Sequence, residues 1–303
     1  MEVNFGNKKF IDLHQHGLLS GDLNSLNKKR IILPNTTINN WEELTYFVKQ
    51  NINPLLKKQA VIKILLQTNI ENSIESGTIL ICPSIDYTLA NNFVSINDFV
   101  FFLSEIKKNF KEDIFINYDL GISRNNFKTE DITIIKDLIV SNIFNGIDLY
   151  GNELLKIDNI GKIYKFAHKN NLILKAHIGE FCSAENVKNL YDELNLDEIQ
   201  HGISVAQSLK VLNYFKEKNV VFNISPTSNF KLKKLNYQDN PIRFFYDNGI
   251  KVTISTDDRL FFGKSVKDEF EILLKNKIFT FDELEEINKF SLDYARNKYK
   301  LTI

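Results

Sequence analysis

The chain lacks most of the features that mark a specialised protein class. It has two cysteines in 303 residues, Cys82 and Cys182. That is no disulfide framework and no zinc-ribbon spacing, and such usage points to a reducing, cytoplasmic compartment. It has no excess of charge: 38 Lys+Arg balance 38 Asp+Glu, so a strongly basic surface and a nucleic-acid partner are not expected. No apolar run approaches the ~18 residues of a membrane helix. The opening stretch, MEVNFGNKKF, has no basic segment followed by a long apolar one, so neither a membrane span nor a secretory signal is expected. Proline (5) and glycine (12) are scarce. No linker, repeat or low-complexity segment divides the chain, and residues 1–303 are read as one domain.

What is present is a core-forming composition, 43% hydrophobic and 25% charged, and a regular alternation. Short β-branched runs at Phe10–His14, Thr78–Cys82, Ile114–Leu120, Gly146–Leu149, Leu172–His177, Glu198–His201, Val220–Ile224 and Lys251–Ser255 read as strands. Amphipathic stretches between them read as helices: Asn92–Asn109, Thr129–Ser141, Ile160–Lys169, Ala184–Leu194, Val205–Lys218 and Pro241–Asn248. Strand–helix alternation predicts a parallel sheet covered by helices, and eight such units predict a closed α/β barrel, the (β/α)8 TIM barrel. The stretch from Asn24 to Asn72 is longer than one unit needs. It is expected to add helices around Trp41–Gln50 and Leu55–Gln67 over the barrel mouth, and Thr280–Tyr299 reads as a closing helix.

In such a barrel the reactive side chains gather at the carboxyl ends of the strands. Four of the five histidines, His14, His16, His177 and His201, fall at predicted strand ends, and only His168 sits on a helix, where it reads as a solvated surface residue. His14 and His16 are spaced i, i+2, which puts both imidazoles on one face of a strand. Asp257 and Asp258 follow the eighth strand. Taken singly, each has a plain structural reading, and Asp258 is also a candidate helix cap. Together at one rim, three imidazoles and a carboxylate compose a zinc-type site with room for a water.

The motifs resemble those of the adenosine deaminase family, in family order from residue 11 to residue 258. Ile11-Asp12-Leu13-His14-Gln15-His16 is similar to its D-L-H-x-H, and Gly146–Glu153 to its G-x-D-L-x-G-x-E. His177-Ile178-Gly179-Glu180 is similar to its H-A-G-E, Gln200-His201-Gly202 to the end of its R-I-G-H-G, Ser225–Asn229 to its C-P-x-S-N, and Ser255–Asp258 to its N-T-D-D. The stretch Tyr118–Arg124 suits an arginine ending the third strand. The resemblance implies a metal-dependent aminohydrolase acting on a 6-aminopurine, with adenosine to inosine plus ammonia as the leading expectation. It implies one Zn2+ per chain, or another divalent transition metal, held by His14, His16, His177 and Asp257. Glu180 would protonate ring nitrogen N1, and His201 would orient the attacking water. Asp258 would hydrogen-bond N7, the Gly151 N–H would meet N3, and His16 would also border the substrate.

Two other metallohydrolase patterns are missing. The H-x-E with P-C-x-x-C deaminase set is absent, and where a two-metal enzyme carries a bridging lysine after the fourth strand this chain has Asp148, Leu149 and Gly151. The chain also departs from the family. The second residue after H-x-H, commonly a sugar-binding acid, is Leu18, following Gly17; Asp22 is the nearby acid that would replace it. Arg259 stands where proline is usual, and Leu80-Ile81-Cys82 stands for E-x-R. Lys231, Lys233 and Lys234 with Arg259 would compose a phosphate rim, although lysine-rich loops are usually only solvated. Cys182 reads as a packing residue near Glu180. The alternatives to adenosine are adenine, a modified adenosine or an adenine nucleotide, and, from another class, a purine-binding or assembly protein without turnover.

Overall fold

Among the described residues, eight largely buried runs become the parallel strands of the barrel, paired in chain order. They are β1 (Phe10–His16), β2 (Thr78–Asp86), β3 (Tyr118–Ser123), β4 (Phe144–Tyr150), β5 (Ile173–Ile178), β6 (Glu198–His201), β7 (Val221–Ile224) and β8 (Lys251–Ile254). The computed structural model describes residues 5–34, 37–239 and 241–302; residues 1–4 of the stretch read for a leader lie outside these. The barrel closes at its mouth, where the Asp257 N–H donates to the His14 carbonyl (3.0 Å) and the His16 N–H donates to the Asp257 carbonyl (3.1 Å). Among the described residues no helix is long and apolar enough to cross a membrane.

The third strand differs from its expected span. Phe115–Ile116 pairs with β2 as a separate two-residue piece before β3 starts at Tyr118. The register is the same on both sides of the break (Ile81 with Ile116, Ser84 with Asp119) and sets Pro83 opposite Tyr118. Pro83 has no N–H to donate, which interrupts the ladder there. β1 carries an irregularity in register between Asp12 and Gln15, the kind of device that re-aims side chains beside a site.

Each outer helix turns one apolar stripe inward; Ile160–Lys169 buries Ile160, Ile163, Tyr164 and Ala167 and leaves His168 exposed. Of the two helical regions expected after β1, Trp41–Phe47 covers the mouth. Trp41 packs on Phe181 (ring centroids 5.3 Å) and Phe47 on Phe261 (5.6 Å), both in segments that follow the strands' carboxyl ends. The second begins as Leu55–Lys57 and continues as Gln59–Glu75, which also serves as the return helix to β2; its Asn69 donates to the Gly17 carbonyl. Under the site the barrel is polar. Lys175 is fully buried, 2.7 Å from Asp119 Oδ2 and 3.7 Å from Glu198 Oε2. Tyr294 and Tyr299, from the closing helix and its C-terminal cap, donate to Glu198. A buried cation needs such partners, because desolvation alone would strip its charge.

Candidate active site

The mouth gathers the ionisable residues singled out in the sequence. β1 delivers His14 and His16, β5 delivers His177, β6 ends in His201, and the turn after β8 carries Asp257 and Asp258. His201 (φ 65°) and Asp257 (φ 64°) hold left-handed backbone conformations. These are strained for residues with a side chain, by roughly 1–3 kcal/mol each, and such strain concentrates where side chains must be aimed. Asp12 braces the second turn: it accepts the Thr256 hydroxyl (2.6 Å) and the Thr256 N–H (3.3 Å), tying β1 to the segment that carries Asp257.

His14 Nε2 lies 3.3 Å and His16 Nε2 3.6 Å from Asp257 Oδ1, and His16 Nε2 lies 3.2 Å from His177 Nε2. Four donors on a tetrahedron with bonds near 2.05 Å stand roughly 3.3 Å apart. Asp257 Oδ1 and both nitrogens of His14 are buried without a hydrogen bond, which in a closed interior marks a missing positive partner. His201 also brings a nitrogen within 4.8 Å of His14, His177 and Asp257. Its Nε2, however, is 3.8 Å from Glu180 Oε2 and 3.9 Å from Asp257 Oδ2, and its Nδ1 pairs with Asn229 Nδ2 at 3.0 Å.

Electrostatics separates the acids. Burial works to raise the Asp257 carboxyl, but His14, His201 and His16 around it hold it well below the usual range. Burial, with Asp257 and Glu153 nearby, pushes Glu180 well above the usual range; burial, Asp257 and Glu180 do the same to Asp258. Burial drives His201 far down, and burial with His177 lowers His16 to about 4. The imidazoles thus favour the charged form of Asp257, while burial and like charge work against ionisation of Glu180 and Asp258. Asp258 occupies the cap position of the Arg259–Phe262 helix but makes no capping bond, and its Oδ1 is buried without a partner.

The adenosine deaminase family model matches residues 126–299. A Treponema pallidum protein assigned as an adenosine/adenine deaminase is 30% identical over 264 residues, covering 85% of this chain and 88% of that protein. The chain belongs to the adenosine deaminase family. It is a metal-dependent hydrolytic deaminase of an adenine compound. The adenine deaminase of Arthrobacter aurescens shares the fold, with a TM-score of 0.84 at 19% identity over 94% of this chain and 92% of that one. So does an amidohydrolase of Burkholderia ambifaria determined with bound Zn, with a TM-score of 0.78 at 17% identity over 97% and 88%.

In this deaminase, motif residues that the sequence left without a role support the site. Asp148, fully buried, meets His177 Nδ1 at 3.1 Å. Ser228 donates to Asp257 Oδ2 (2.6 Å), and Asn229 links His201 to Glu180. Ser228 and Asn229 ride on a helix, Pro226–Lys233, that was not anticipated. Its signal was available: proline is favoured at a first helical position. Arg124 donates to the His177 carbonyl (2.9 Å), as the arginine ending β3. Cys182 is buried, as expected of a packing residue.

The departing residues separate. Leu18 is buried in the hydrophobic core. Asp22 caps the Leu23–Lys28 helix, accepting from Asn24 N and Ser25 N, so it does not stand in as a sugar acid. Lys233 lies over the Phe181 ring at 4.7 Å, whereas Arg259 has Asp268, Asp12, Glu75 and Asp22 as its charged neighbours.

Proposed function

We propose that the protein converts adenosine to inosine and ammonia, with His14, His16, His177 and Asp257 holding one Zn2+. The observation that carries this is the clustering of His14 and His16 Nε2 at 3.3 and 3.6 Å from Asp257 Oδ1, with His177 Nε2 3.2 Å from His16 Nε2, and with Glu180, whose carboxyl burial pushes up, alongside. Three nitrogens and one carboxylate suit zinc, and a zinc-bound relative in fold agrees with it. His201 shares the cluster with His14, His177 and Asp257, and we read it as the water-orienting group because its Nδ1 is engaged with Asn229 while its Nε2 lies 3.8 Å from Glu180. The metal, when bound, acidifies a water so that hydroxide is available near neutral pH.

The remaining work falls to the chain's own groups. Glu180, kept protonated by burial, gives its proton to ring nitrogen N1 and so makes C6 more electrophilic. Asn229 pins one nitrogen of the neutral His201, which leaves Nε2 facing the mouth to orient the attacking water. Asp258, also a neutral acid, donates to N7, which is an acceptor. The Gly151 N–H meets N3; Gly151 holds φ +92°, and a Cβ there would fall 2.5 Å from Asn125 Oδ1, so only glycine brings backbone that close. Free adenine is the second reading. It is favoured by the burial of Leu18 and the capping role of Asp22, which leave no acid from that stretch for a ribose. We read residues 1–303 as one domain, since the closing helix packs on both β1 and β8, and the two free, buried cysteines suit a reducing cytoplasm.

The test is ammonia release from adenosine, adenine and adenosine 5′-phosphate by metal-loaded protein, with metal analysis alongside. Adenosine should turn over fastest. Preference for adenine would select the second reading, and no ammonia from any aminopurine would refute both. Glu180→Gln should lower kcat by at least about a thousandfold with metal retained; retained activity would remove Glu180 from its role.

A further inference from the structure

The loop between β5 and the Ala184–Leu194 helix presents four successive backbone N–H groups, and all four converge on one side chain. Glu153 Oε2 accepts from Gly179 (2.9 Å), Phe181 (3.1 Å) and Cys182 (3.0 Å), and Oε1 accepts from Glu180 (3.0 Å). Consecutive N–H groups turned inward form a backbone nest, a concavity that binds anions. Gly179 permits the turn: its φ is +84°, and a Cβ would fall 3.0 Å from Gly202 Cα and 2.6 Å from Val187. The anion in the nest belongs to the chain itself, carried in from the loop after β4. Bonds from N–H to an ionised carboxylate are roughly twice as strong as neutral ones, and four of them act on four consecutive residues. The buried Arg124 guanidinium lies near enough to feel the Glu153 charge and bonds the His177 carbonyl. The loop is also watched from outside: Phe181 lies between Trp41, at 5.3 Å, and Lys233 Nζ, at 4.7 Å.

We infer that Glu153 is a positioning residue for the deamination: it fixes the Gly179–Cys182 loop so that Glu180 stands beside His201 and Asn229 in the mouth. This rests on the reading of Glu180 as the proton donor. Glu180 has few tethers of its own there, its oxygens lying 3.8 Å from His201 Nε2 and 3.5 Å from Asn229 Nδ2, so the backbone beneath it sets where its proton is offered. Glu153 acts through the loop, with its oxygens turned to the four N–H groups.

Glu153→Gln keeps the size, removes the charge and turns an NH2 group toward N–H donors. The expected result is a kcat about 100-fold lower, the loss that accompanies a misplacement of about 1 Å at a reacting group. KM should stay within about threefold, since Glu153 does not face the purine. Metal content should remain at the parent value. The emission of Trp41, the single tryptophan, should shift to the red as Phe181 moves off it. A kcat within about twofold of the parent, or an unshifted emission, would overturn the inference. So would a kcat that falls only in proportion to lost metal or to lost near-UV circular dichroism, because that is a folding effect. If Glu153→Gln does not fold, Glu153→Asp, which keeps the charge but is one methylene short, is read by the same measurements. Glu180→Gln separates the two claims. It should be inactive with parent-like Trp41 emission; an active Glu180→Gln would overturn the proton-donor reading, while the Glu153 emission shift would still report on the loop.

Discussion

Asp148 offers the sharpest test of how the metal site is built, because it lies one step behind it. Its Oδ1 is 3.1 Å from His177 Nδ1, and the residue is fully buried at the centre of β4. A carboxylate there accepts the Nδ1–H, which leaves Nε2 as the lone-pair nitrogen, and His177 Nε2 is the atom 3.2 Å from His16 Nε2. Burial pushes the Asp148 carboxyl up, but His177 beside it wins and holds it below the usual range, so the group stays charged. Asp148→Asn keeps the shape and removes both the charge and the fixed direction of the hydrogen bond; an amide NH2 turned to Nδ1 stabilises the wrong tautomer. Loss of such an outer partner lowers metal affinity about 10- to 100-fold, or about 1.4–2.7 kcal/mol at 1.36 kcal/mol per decade. At fixed free metal the same energy leaves the stability gap between metal-loaded and metal-free protein. With an unfolding entropy of roughly 2.1 cal/mol/K per residue, a chain of 303 residues should show that gap shrink by about 2–4 °C. Competition with a chelator of known affinity measures the first quantity, and paired calorimetric scans measure the second. An affinity within twofold of the parent would refute the reasoning, since His177 would then be oriented without Asp148.

Asp22→Ala should reduce stability by about 1 kcal/mol, the usual loss for a helix N-cap, without changing KM for adenosine; a KM raised tenfold with stability intact would restore Asp22 as a sugar contact. Glu269 is fully buried and accepts the Thr227 N–H (3.1 Å) at the start of the helix that carries Ser228 and Asn229. Burial pushes its carboxyl up to about 8. With a folded pKa above the unfolded one, the native state binds the extra proton between about pH 4.5 and 8. Glu269 should therefore make stability fall as pH rises through that window, by at most about 1.4 kcal/mol per pH unit. Glu269→Gln should flatten that slope in urea titrations at pH 5.5, 6.5 and 7.5, and parallel profiles for the two proteins would exclude Glu269 as its source.

What the sequence displayed and what it concealed divide along a physical line. His14 and His16 were readable because a strand's two-residue period is local: once Phe10–His14 is a strand, the pair must share a face, and the mouth is where strands end. His177, His201 and Asp257 were readable for the same reason, each lying within a residue or three of a predicted strand terminus. The supporting groups obey no local rule. Asp148 is a motif letter inside the β4 run with no local sign of its role; only the pairing of β4 with β5 brings it to His177, 29 positions away. Glu153 closes the G-x-D-L-x-G-x-E resemblance, but its task shows only when the chain folds its carboxylate under four N–H groups of the next loop. The left-handed turns at His201 and Asp257 are likewise imposed by tertiary contacts: both residues have a Cβ and would avoid that conformation in isolation. Leu18 and Asp22 show the converse. Their departure from the family pattern was visible at once, but what each does instead, filling the core in one case and capping a helix in the other, depends on partners as distant as Thr68, whose hydroxyl receives the Asp22 N–H. Residues that touch the chemistry are thus marked by where elements end, while residues that aim them take their role from what folds against them, so substitutions at Asp148 and Glu153 probe roles that a motif letter alone does not give.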